Sequence, residues 1–298
     1  MKKFFALLLI CLCLSLAVGG CKATTTISGG DIVVGSKNFT EQTILGELLA
    51  QQIEATTDLK VDRRPQLGGT FICHSAILTG KIDAYIEYTG TSFTAILQQK
   101  VINDPRKVYN LVKLAYEKQF NLELMEPLGF ENTFAMIIRG DDAKNNDIKT
   151  LSDVTQYTQG MRIGFSYEFG EREDGYPGLS KAYNFQFKQS PKIMDTGLLY
   201  RALTQKLVDI VAAASTDGQI ARLGLVILED DKNYFPPYES VPVVRKETLK
   251  KYPQLKKTIS QLAGILTADE MQQLNYQVEG ELRDVKEVVR EFRKAKGL

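Results

Sequence analysis

Short apolar segments alternate with segments of helical period along most of this 298-residue chain. Residues 31–34 predict a strand, and residues 44–53 place aliphatic side chains on one face of a helix. Asn38 and Glu41 have the spacing of a capping box, so this helix is predicted to begin at Asn38. The same alternation continues to about residue 229, which predicts an α/β fold.

Two segments indicate that this alternation is divided between two lobes. Residues 134–139 form a buried-strand pattern, at which we expect the chain to enter a second lobe. Residues 230–238 contain two adjacent prolines, which exclude helix and suit a return crossing. Two lobes joined by two crossings form a hinge, and the cleft between the lobes is the expected ligand site.

The first thirty residues have the pattern of an export signal followed by a tether. Lys2 and Lys3 precede an apolar run at residues 4–18, roughly 15 residues long, whereas a membrane span needs about 20. Small residues lead into Cys21 in a pattern that resembles a lipobox and predicts lipidation of Cys21; an ordinary signal peptide with an incidental cysteine is the alternative. The predicted division is a signal peptide at 1–20, a lipidated cysteine and tether at 21–30, lobe 1 at 31–132 and 236–298, and lobe 2 at 133–235.

Lipidation at Cys21 implies an exported protein held at a membrane surface. We expect it at the outer face of the cytoplasmic membrane or on the periplasmic side of the envelope, and the sequence leaves open whether that envelope has one membrane or two. The net charge of +1 argues against a nucleic-acid partner, because such proteins carry a basic field. We expect a monomer.

Cysteine and histidine usage argues against a catalytic, cofactor or metal site. After export and lipidation only Cys73 remains, so an internal disulfide is excluded. The one histidine, His74, adjoins Cys73 on a predicted helix, where neighbours point about 100° apart and do not face each other as nucleophile and base. We expect His74 near the surface of its lobe. The sequence contains no glycine-rich phosphate loop, nucleophile elbow or metal-spaced cluster.

Two polar motifs follow predicted strands. Residues 83–91 place two tyrosines and two threonines at the end of a short apolar strand, and residues 35–42 occupy the equivalent position after the first strand. In open α/β sheets, ligands bind at the carboxyl ends of strands. Tyrosine faces and hydroxyls at such an edge suit a cationic organic ligand with a polar tail.

Seven segments, in order along nearly the whole mature chain, resemble the substrate-binding proteins of quaternary-amine ABC importers, the family for glycine betaine, carnitine and choline. They are 35–42 (GSKNFTEQ), 67–70 (LGGT), 85–91 (YIEYTGT), 129–134 (GFENTF), 172–175 (REDG), 215–218 (STDG) and 235–238 (FPPY). The resemblance implies a bilobal periplasmic-binding-protein fold of type II. It also implies a small quaternary-ammonium ligand, held by an aromatic cage between the lobes, and a separate ABC permease as partner.

Carried over by motif, Tyr88 and Tyr238 resemble cage tyrosines, and Phe134 stands where the family usually has a third tyrosine. Ala214 stands where the family commonly has a fourth aromatic residue, which removes one wall and leaves room for a larger ligand or a weaker site. Tyr85 is one candidate for a replacement ring face.

Tyr176 is the second candidate for that replacement. The resemblance also makes Lys37, Thr91 and Arg172 the expected holders of a ligand carboxylate, with Asn38 in the same motif as Lys37 as a further candidate contact. A carboxylate at that place favours a betaine over choline. The alternative for Arg172 is a surface ion pair with one of the neighbouring glutamates.

The expected function is therefore capture of a betaine-type compound and its delivery to an ABC permease, with no enzymatic activity. Two alternatives stay open: a receptor for a bulkier betaine such as ergothioneine, and a surface lipoprotein that senses or adheres without transport. The residues do not distinguish glycine betaine, carnitine, choline and ergothioneine, nor osmoprotection from nutrition.

Overall fold

The computed structural model of the protein describes residues 30–298. The predicted signal peptide, Cys21 and the tether up to residue 29 lie outside the described residues. Within residues 30–298, no helix combines the length and the apolar character needed to cross a membrane.

Ten strands form two five-stranded sheets. The strands are β1 (Ile32–Gly35), β2 (Val61–Arg64), β3 (Ala84–Tyr88), β4 (Leu122–Leu124), β5 (Phe134–Arg139), β6 (Ile163–Phe165), β7 (Lys192–Ile193), β8 (Ile210–Ala214), β9 (Leu225–Ile227) and β10 (Ser240–Arg245). The strand order is β2-β1-β3-β10-β4 in the first sheet and β7-β6-β8-β5-β9 in the second. Each sheet has one antiparallel strand in the fourth position, β10 and β5 respectively.

Helices cover both faces of each sheet. They are α1 (Thr40–Thr56), α2 (Thr70–Leu78), α3 (Thr89–Thr91), α4 (Pro105–Phe120), α5 (Gly140–Asn145), α6 (Leu151–Val154), α7 (Tyr167–Glu171), α8 (Tyr176–Tyr183), α9 (Thr196–Thr204), α10 (Gln219–Arg222), α11 (Lys246–Lys251), α12 (Gln254–Ser260), α13 (Ala268–Glu279) and α14 (Val285–Ala295). A π-helix, Ser92–Ile96, follows α3, and a short 3-10 helix, Thr155–Tyr157, follows α6.

Both antiparallel strands are the ones that the chain enters after crossing from the other sheet. The first crossing leads into β5 and the second into β10. The two crossing segments lie side by side, because Asn132 N donates to Tyr238 O at 3.1 Å and Ser240 N donates to Phe130 O at 3.1 Å. This is the bilobal α/β architecture expected of a type II periplasmic binding protein.

Each sheet carries two apolar cores, one on each face. In the first sheet, α1, α13 and α14 pack on one face, and α2 and α4 pack on the other. In the second sheet, α8 packs on one face and α9 on the other. Packing both faces fixes the sheets, so the residues at the strand ends have defined positions.

The predicted strands at 31–34 and 134–139 and the helix that carries residues 44–53 are confirmed. The predicted start of α1 is wrong: the helix begins at Thr40 after Phe39, and it has no side-chain cap. Glu41 does not close a capping box with Asn38, since its carboxylate accepts hydrogen bonds from distant side chains instead. The sequence pattern also missed the short strands β4 and β7.

Candidate ligand site at the junction of the two sheets

The carboxyl ends of β1 and β3 bring Lys37 and Tyr88 together. The two strands run parallel, with Val34 beside Ala84, so the residues that follow them share one edge of the sheet. Lys37 is buried and forms an ion pair with Glu87. Its Nζ lies 5.0 Å from the centroid of the Tyr88 ring. The Tyr88 ring is therefore within cation–π distance of a charged side chain of the protein itself.

A second buried cation, Arg172, approaches from the second sheet. Its Nε and NH2 donate to the two carboxylate oxygens of Asp174 at 2.7 and 2.5 Å. Its NH1 lies 3.3 Å from Thr91 Oγ1 and 3.3 Å from Glu168 Oε1. The guanidinium carbon is 5.0 Å from the centroid of the Phe134 ring. Burial alone would lower the pKa of Arg172, but the hydrogen bonds and charge of Asp174 raise it above its ordinary value.

Asp174 links the two sheets. Besides Arg172, its Oδ2 accepts hydrogen bonds from Thr94 Oγ1 and from the Tyr238 hydroxyl, both at 2.6 Å. Thr94 belongs to the π-helix after β3, and Tyr238 belongs to the return crossing. Burial alone would raise the pKa of Asp174, but the hydrogen bonds and charge of Arg172 hold it below its ordinary value. Asp174 is therefore ionised in the folded protein at neutral pH.

Aromatic rings collect around Phe134 at the start of β5. Its ring meets those of Phe169, Tyr238 and Phe235 at centroid distances of 4.8, 5.8 and 6.2 Å, the first two edge-to-face. Ala214 lies directly opposite Phe134 in the antiparallel pairing of β5 and β8, so the two side chains share one face of the sheet. An aromatic side chain at residue 214 would therefore stand next to Phe134.

A buried carboxylate, Glu41, accepts hydrogen bonds from four separate segments of the chain. One of them is the first crossing, at Asn132, and we call this side of the junction the hinge side. Oε1 accepts hydrogen bonds from the Tyr88 hydroxyl at 2.5 Å and from Asn132 Nδ2 at 2.7 Å. Oε2 accepts from Thr216 Oγ1 and, at 3.1 Å, from Asn275 Nδ2. All four donors are neutral, so burial raises the pKa of Glu41 above its ordinary value although the hydrogen bonds offset part of this.

Three of the residues considered from sequence lie apart from this cluster. Tyr85 is enclosed in the core of the first sheet, with its hydroxyl 3.3 Å from Glu87 Oε2, so it supplies no ring face at the junction. Tyr176 packs against Phe165 in the second sheet, at a centroid distance of 4.8 Å. The Asn38 side chain is exposed.

Sequence reasoning gave no ligand-site role to Glu41 or Asp174. Asp174 is two residues from Arg172 in the REDG motif, and this spacing was a usable signal, because a buried arginine needs a carboxylate partner. For Glu41 the sequence was misleading, because its spacing from Asn38 is that of a capping box, which the structure does not contain. Its actual partners include Asn275, which is 234 residues away in the chain.

Cys73 and His74 are both buried and do not form a reactive pair. Burial raises the pKa of the Cys73 thiol to about 12. The expectation of a near-surface position for His74 is wrong: its ring packs edge-on against Phe120 at a centroid distance of 4.8 Å and is 9% exposed. Burial lowers the pKa of His74. Among residues 30–298, His, Cys, Asp and Glu side chains do not form any group of three suited to a metal ion.

A cavity of about 370 Å³ borders the junction on the side of the crossings. Its lining includes Phe134, Phe235, Pro236, Glu131 and Asn103. Lys37, Tyr88 and Arg172 do not line it. Phe134 thus lines this cavity and also contacts the Arg172 guanidinium.

Comparison with known proteins shows that this chain is similar to the members of one family. Residues 30–295 match the family described as the substrate binding domain of ABC-type glycine betaine transport systems. The carnitine transport binding protein OpuCC of Listeria monocytogenes is 37% identical over 296 residues, covering 98% of this chain and 96% of that protein. The ergothioneine transport permease/binding protein EgtU of Helicobacter pylori is 38% identical over 269 residues, which cover 90% of this chain but 48% of EgtU.

A solved structure has the same fold over nearly its whole length. It is described as a glycine betaine/carnitine/choline ABC transporter and superimposes with a TM-score of 0.76 at 33% identity, covering 90% of this chain and 99% of that one. This family consists of substrate-binding proteins of transporters, not of enzymes. The protein therefore belongs to the substrate-binding domains of ABC-type glycine betaine transport systems.

Proposed function

We propose that this protein captures a quaternary ammonium compound of the betaine type between its two sheets and delivers it to an ABC permease. One observation carries the proposal most directly. The first sheet contributes Lys37, Tyr88 and Thr91, the second contributes Arg172, and Phe134 and Tyr238 border the crossings, all at one buried junction.

The ring faces at this junction already attract cations. Lys37 Nζ and the Arg172 guanidinium carbon each lie 5.0 Å from a ring centroid, of Tyr88 and Phe134 respectively. A quaternary ammonium has no N–H to donate, so ring faces are the means by which a protein holds it. We propose that the ligand cation takes the ring faces of Tyr88, Phe134 and Tyr238.

Lys37, Thr91 and Arg172 are then the proposed contacts of the ligand carboxylate. The Thr91 hydroxyl lies 3.3 Å from Arg172 NH1, so one carboxylate can reach both residues. Asn38, whose side chain is exposed, is at most an outer contact. Closure of the lobes brings the two groups of contacts together, and the measured affinity therefore includes the free energy of closure.

We further propose that the mature protein begins at a lipidated Cys21 and works as a monomer outside the cytoplasm. The lipobox-like segment before Cys21 supports the anchor. The proposed lobes are residues 31–132 with 236–298, and residues 133–235. Five strands fall in each of these parts, which supports the division.

Thermal unfolding with and without candidate ligands tests the proposal. Glycine betaine, carnitine, choline and ergothioneine are compared with proline and a polyamine. A ligand present at about 100 times its dissociation constant adds roughly 2.7 kcal/mol to the free energy of unfolding, a clearly measurable shift. Stabilisation by at least one quaternary amine, but not by proline or the polyamine, is expected. No shift with any quaternary amine contradicts the proposal.

A bulkier betaine such as ergothioneine is the second candidate ligand, and Ala214 favours it. The methyl group of Ala214 leaves space beside Phe134 that an aromatic residue would fill. We predict that Ala214→Tyr shifts the preference towards glycine betaine, the smaller ligand. Dissociation constants for both ligands, measured for both proteins, check this, and an unchanged ratio contradicts it.

A further inference from the structure

The helix α2 carries apolar side chains on its outer face as well as on its inner face. Cys73 and Ile77 are enclosed in a core of the first sheet. On the other side of the helix, Phe71, Ile72 and Leu78 are 58%, 56% and 43% exposed. A helix that is apolar all round is normally covered on all sides, so the outer face of α2 requires an explanation.

A groove of about 640 Å³ runs along this outer face, and we call it the α2 groove. Leu67, Phe71 and Ile72 contribute to its apolar lining, and the exposed side chains of Arg64 and Lys81 add positive charge. All of these residues belong to the first part of the chain, the proposed lobe 1. The groove therefore fits an apolar segment of a partner that also carries negative charge.

The second sheet exposes apolar side chains at the corresponding place. Tyr167, which follows β6, is 68% exposed, and Ile193, which ends β7, is 58% exposed. Leu198, in the first turn of α9, is 51% exposed. Because β6 and β7 run parallel with Phe165 beside Ile193, these side chains follow the carboxyl ends of two neighbouring strands. We call the three exposed residues the lobe 2 patch.

The α2 groove and the lobe 2 patch meet at one side of the junction. A Cβ atom at Gly69 would lie 3.1 Å from Glu168 Oε2, so the start of α2 touches α7. Phe71 is two residues from Gly69, and Tyr167 is next to Glu168.

This side of the junction lies away from the crossings. The crossings lead into β10 and β5, the fourth strand of each sheet, whereas α2 follows β2 and α9 follows β7, the first strand of each sheet. We call this side the mouth of the cleft. A ligand that leaves between the lobes, away from the crossings, passes the mouth. The protein that receives the ligand therefore has to cover the α2 groove and the lobe 2 patch.

The charges at the mouth differ in sign between the lobes. Lys81 and Arg64 line the α2 groove, although Arg64 is paired with Asp62 at 2.7 Å. Near the lobe 2 patch, Glu171 and Asp195 are exposed. An anionic lipid surface would attract the first pair of charges and repel the second, whereas a protein can offer opposite charges to the two. The charge pattern thus favours a protein partner over the membrane surface.

We propose that the α2 groove and the lobe 2 patch together dock on the ABC permease, with Phe71 and Ile72 as the central contacts. Large apolar side chains at the centre of an interface contribute most of its binding energy. The permease surface that fits is apolar at its centre, with a carboxylate towards Lys81 and a basic group towards Glu171. This inference rests on the proposed function for the identity of the partner, and it does not depend on which compound is transported.

The double variant Phe71→Gln/Ile72→Gln, compared with Leu111→Gln/Leu114→Gln, tests the inference in cells of the source organism. Leu111 and Leu114 are 40% and 48% exposed on α4, which packs beside β4 at the opposite edge of the first sheet. At equal protein levels, uptake of limiting labelled glycine betaine, carnitine or choline should fall about tenfold in the first variant only. Dissociation constants and Tm of both purified variants should stay unchanged, because the four side chains are exposed and lie outside the ligand cluster.

A photo-reactive phenylalanine analogue in place of Phe71 identifies what covers the groove. A crosslink to an integral-membrane permease subunit, absent when the analogue replaces Leu114, is expected. A crosslink between two copies of this chain, or to lipid alone, overturns the inference.

Two further results separate this inference from the proposed function. If Phe71→Gln/Ile72→Gln imports the ligand like the unaltered protein, the proposed function stands and the docking surface is wrong. An equal change in uptake and in ligand affinity also overturns the inference, because the groove then acts on the cleft. If the unaltered protein binds no quaternary amine, the proposed function fails, whereas the crosslink to a permease subunit still supports docking.

Discussion

Tyr88 combines a ring face and a hydrogen bond, and substitutions can separate the two. Its hydroxyl donates to Glu41, and its ring lies next to Lys37. We propose that the ring face contacts the ligand cation, whereas the hydroxyl donates a hydrogen bond to Glu41. The affinity of a variant without the ring is therefore to be compared with that of a variant that lacks only the hydroxyl.

We predict that Tyr88→Ala weakens binding of a quaternary amine by about 30-fold, since a desolvated cation–π contact contributes about 2 kcal/mol. Tyr88→Phe should retain most of the affinity, because the ring remains. Cys73→Ser, at a buried residue outside the cluster, should leave affinity nearly unchanged. Isothermal titration of the three variants measures this, and equal affinities of Tyr88→Ala and the unaltered protein would refute the cage assignment.

Glu168 places a carboxylate of the protein where a ligand carboxylate is proposed to bind. Its Oε1 lies 3.3 Å from Arg172 NH1, and a Cβ atom at Gly69 would lie 3.1 Å from its Oε2. Glu168, which is part of α7, thus lies next to the start of α2, and we propose that it competes with the ligand for Arg172. It is partly exposed, so its interaction is worth only about 1 kcal/mol.

We predict that Glu168→Gln increases affinity for glycine betaine and carnitine about fivefold and changes that for choline little, because choline has no carboxylate. The exposed neighbour Glu171, substituted by Gln, is the control for a change of net charge. Titrations of both variants with all three ligands, at one ionic strength, measure these changes in affinity. An equal change for all three ligands in Glu168→Gln would argue against competition at Arg172.

At the scale of secondary structure, α13 and the loop after β8 bring two carboxylates together. Asp217, in the loop, has its pKa raised to about 6 by burial and by the charge of Glu279 on α13, with a smaller contribution from Glu41. Its Oδ1 accepts a hydrogen bond from Gln219 N at 2.9 Å. The unfolded chain loses this proton near pH 4, so between about pH 4 and 6 the folded protein binds more protons than the unfolded one. Stability contributed by this group therefore falls as pH rises through that range.

We predict that Asp217→Asn removes this loss and keeps the acceptor for Gln219. Relative to the unaltered protein, the variant should gain about 1 to 3 kcal/mol between pH 3.5 and pH 7, as measured by urea unfolding at both pH values. Asp153 is the control with the opposite sign, because backbone hydrogen bonds from Lys149 and Thr150 lower its pKa. Asp153→Asn should lose relative stability as pH rises, and no change in relative stability for Asp217→Asn would contradict the assignment.

At the scale of the whole molecule, polar side-chain contacts join the two lobes across the junction. Thr94 donates to Asp174, and Arg172 lies near Thr91; both pairs join the first sheet to the second. On the hinge side, Thr216 donates to Glu41. These are polar contacts at a buried interface, so each can form or break as the lobes move without exposing a large apolar surface.

We predict that Thr94→Val weakens ligand binding about tenfold, mainly through faster dissociation, because it removes one hydrogen bond to the ionised Asp174 carboxylate, worth about 1.5 kcal/mol. Thr204→Val is the control, since the Thr204 hydroxyl bonds only within its own helix at the carbonyls of Tyr200 and Arg201. Stopped-flow dissociation rates compare the two variants. If both dissociate at the rate of the unaltered protein, Thr94 does not hold the closed arrangement.

The sequence by itself determined the alternation of strands and helices, the two crossings and the motifs of the family. These depend on side-chain periodicity, on proline at 236 and 237 and on short motifs, all of which are local along the chain. These features could therefore be predicted from the sequence without knowledge of any tertiary contact. The boundary of α1 was misread for the same reason, because a local spacing at Asn38 and Glu41 suggested a cap that does not form.

Only the tertiary structure decided which partners the buried polar groups have. Glu41 bonds residues that are 47, 91, 175 and 234 positions away, and Asp174 bonds Thr94, 80 positions away. The same holds for the Arg172 guanidinium carbon, which lies 5.0 Å from the centroid of the Phe134 ring. Partners so distant meet only when the sheets are assembled and their lobes docked, because a buried charge or amide takes its energy from three-dimensional neighbours rather than from sequence neighbours.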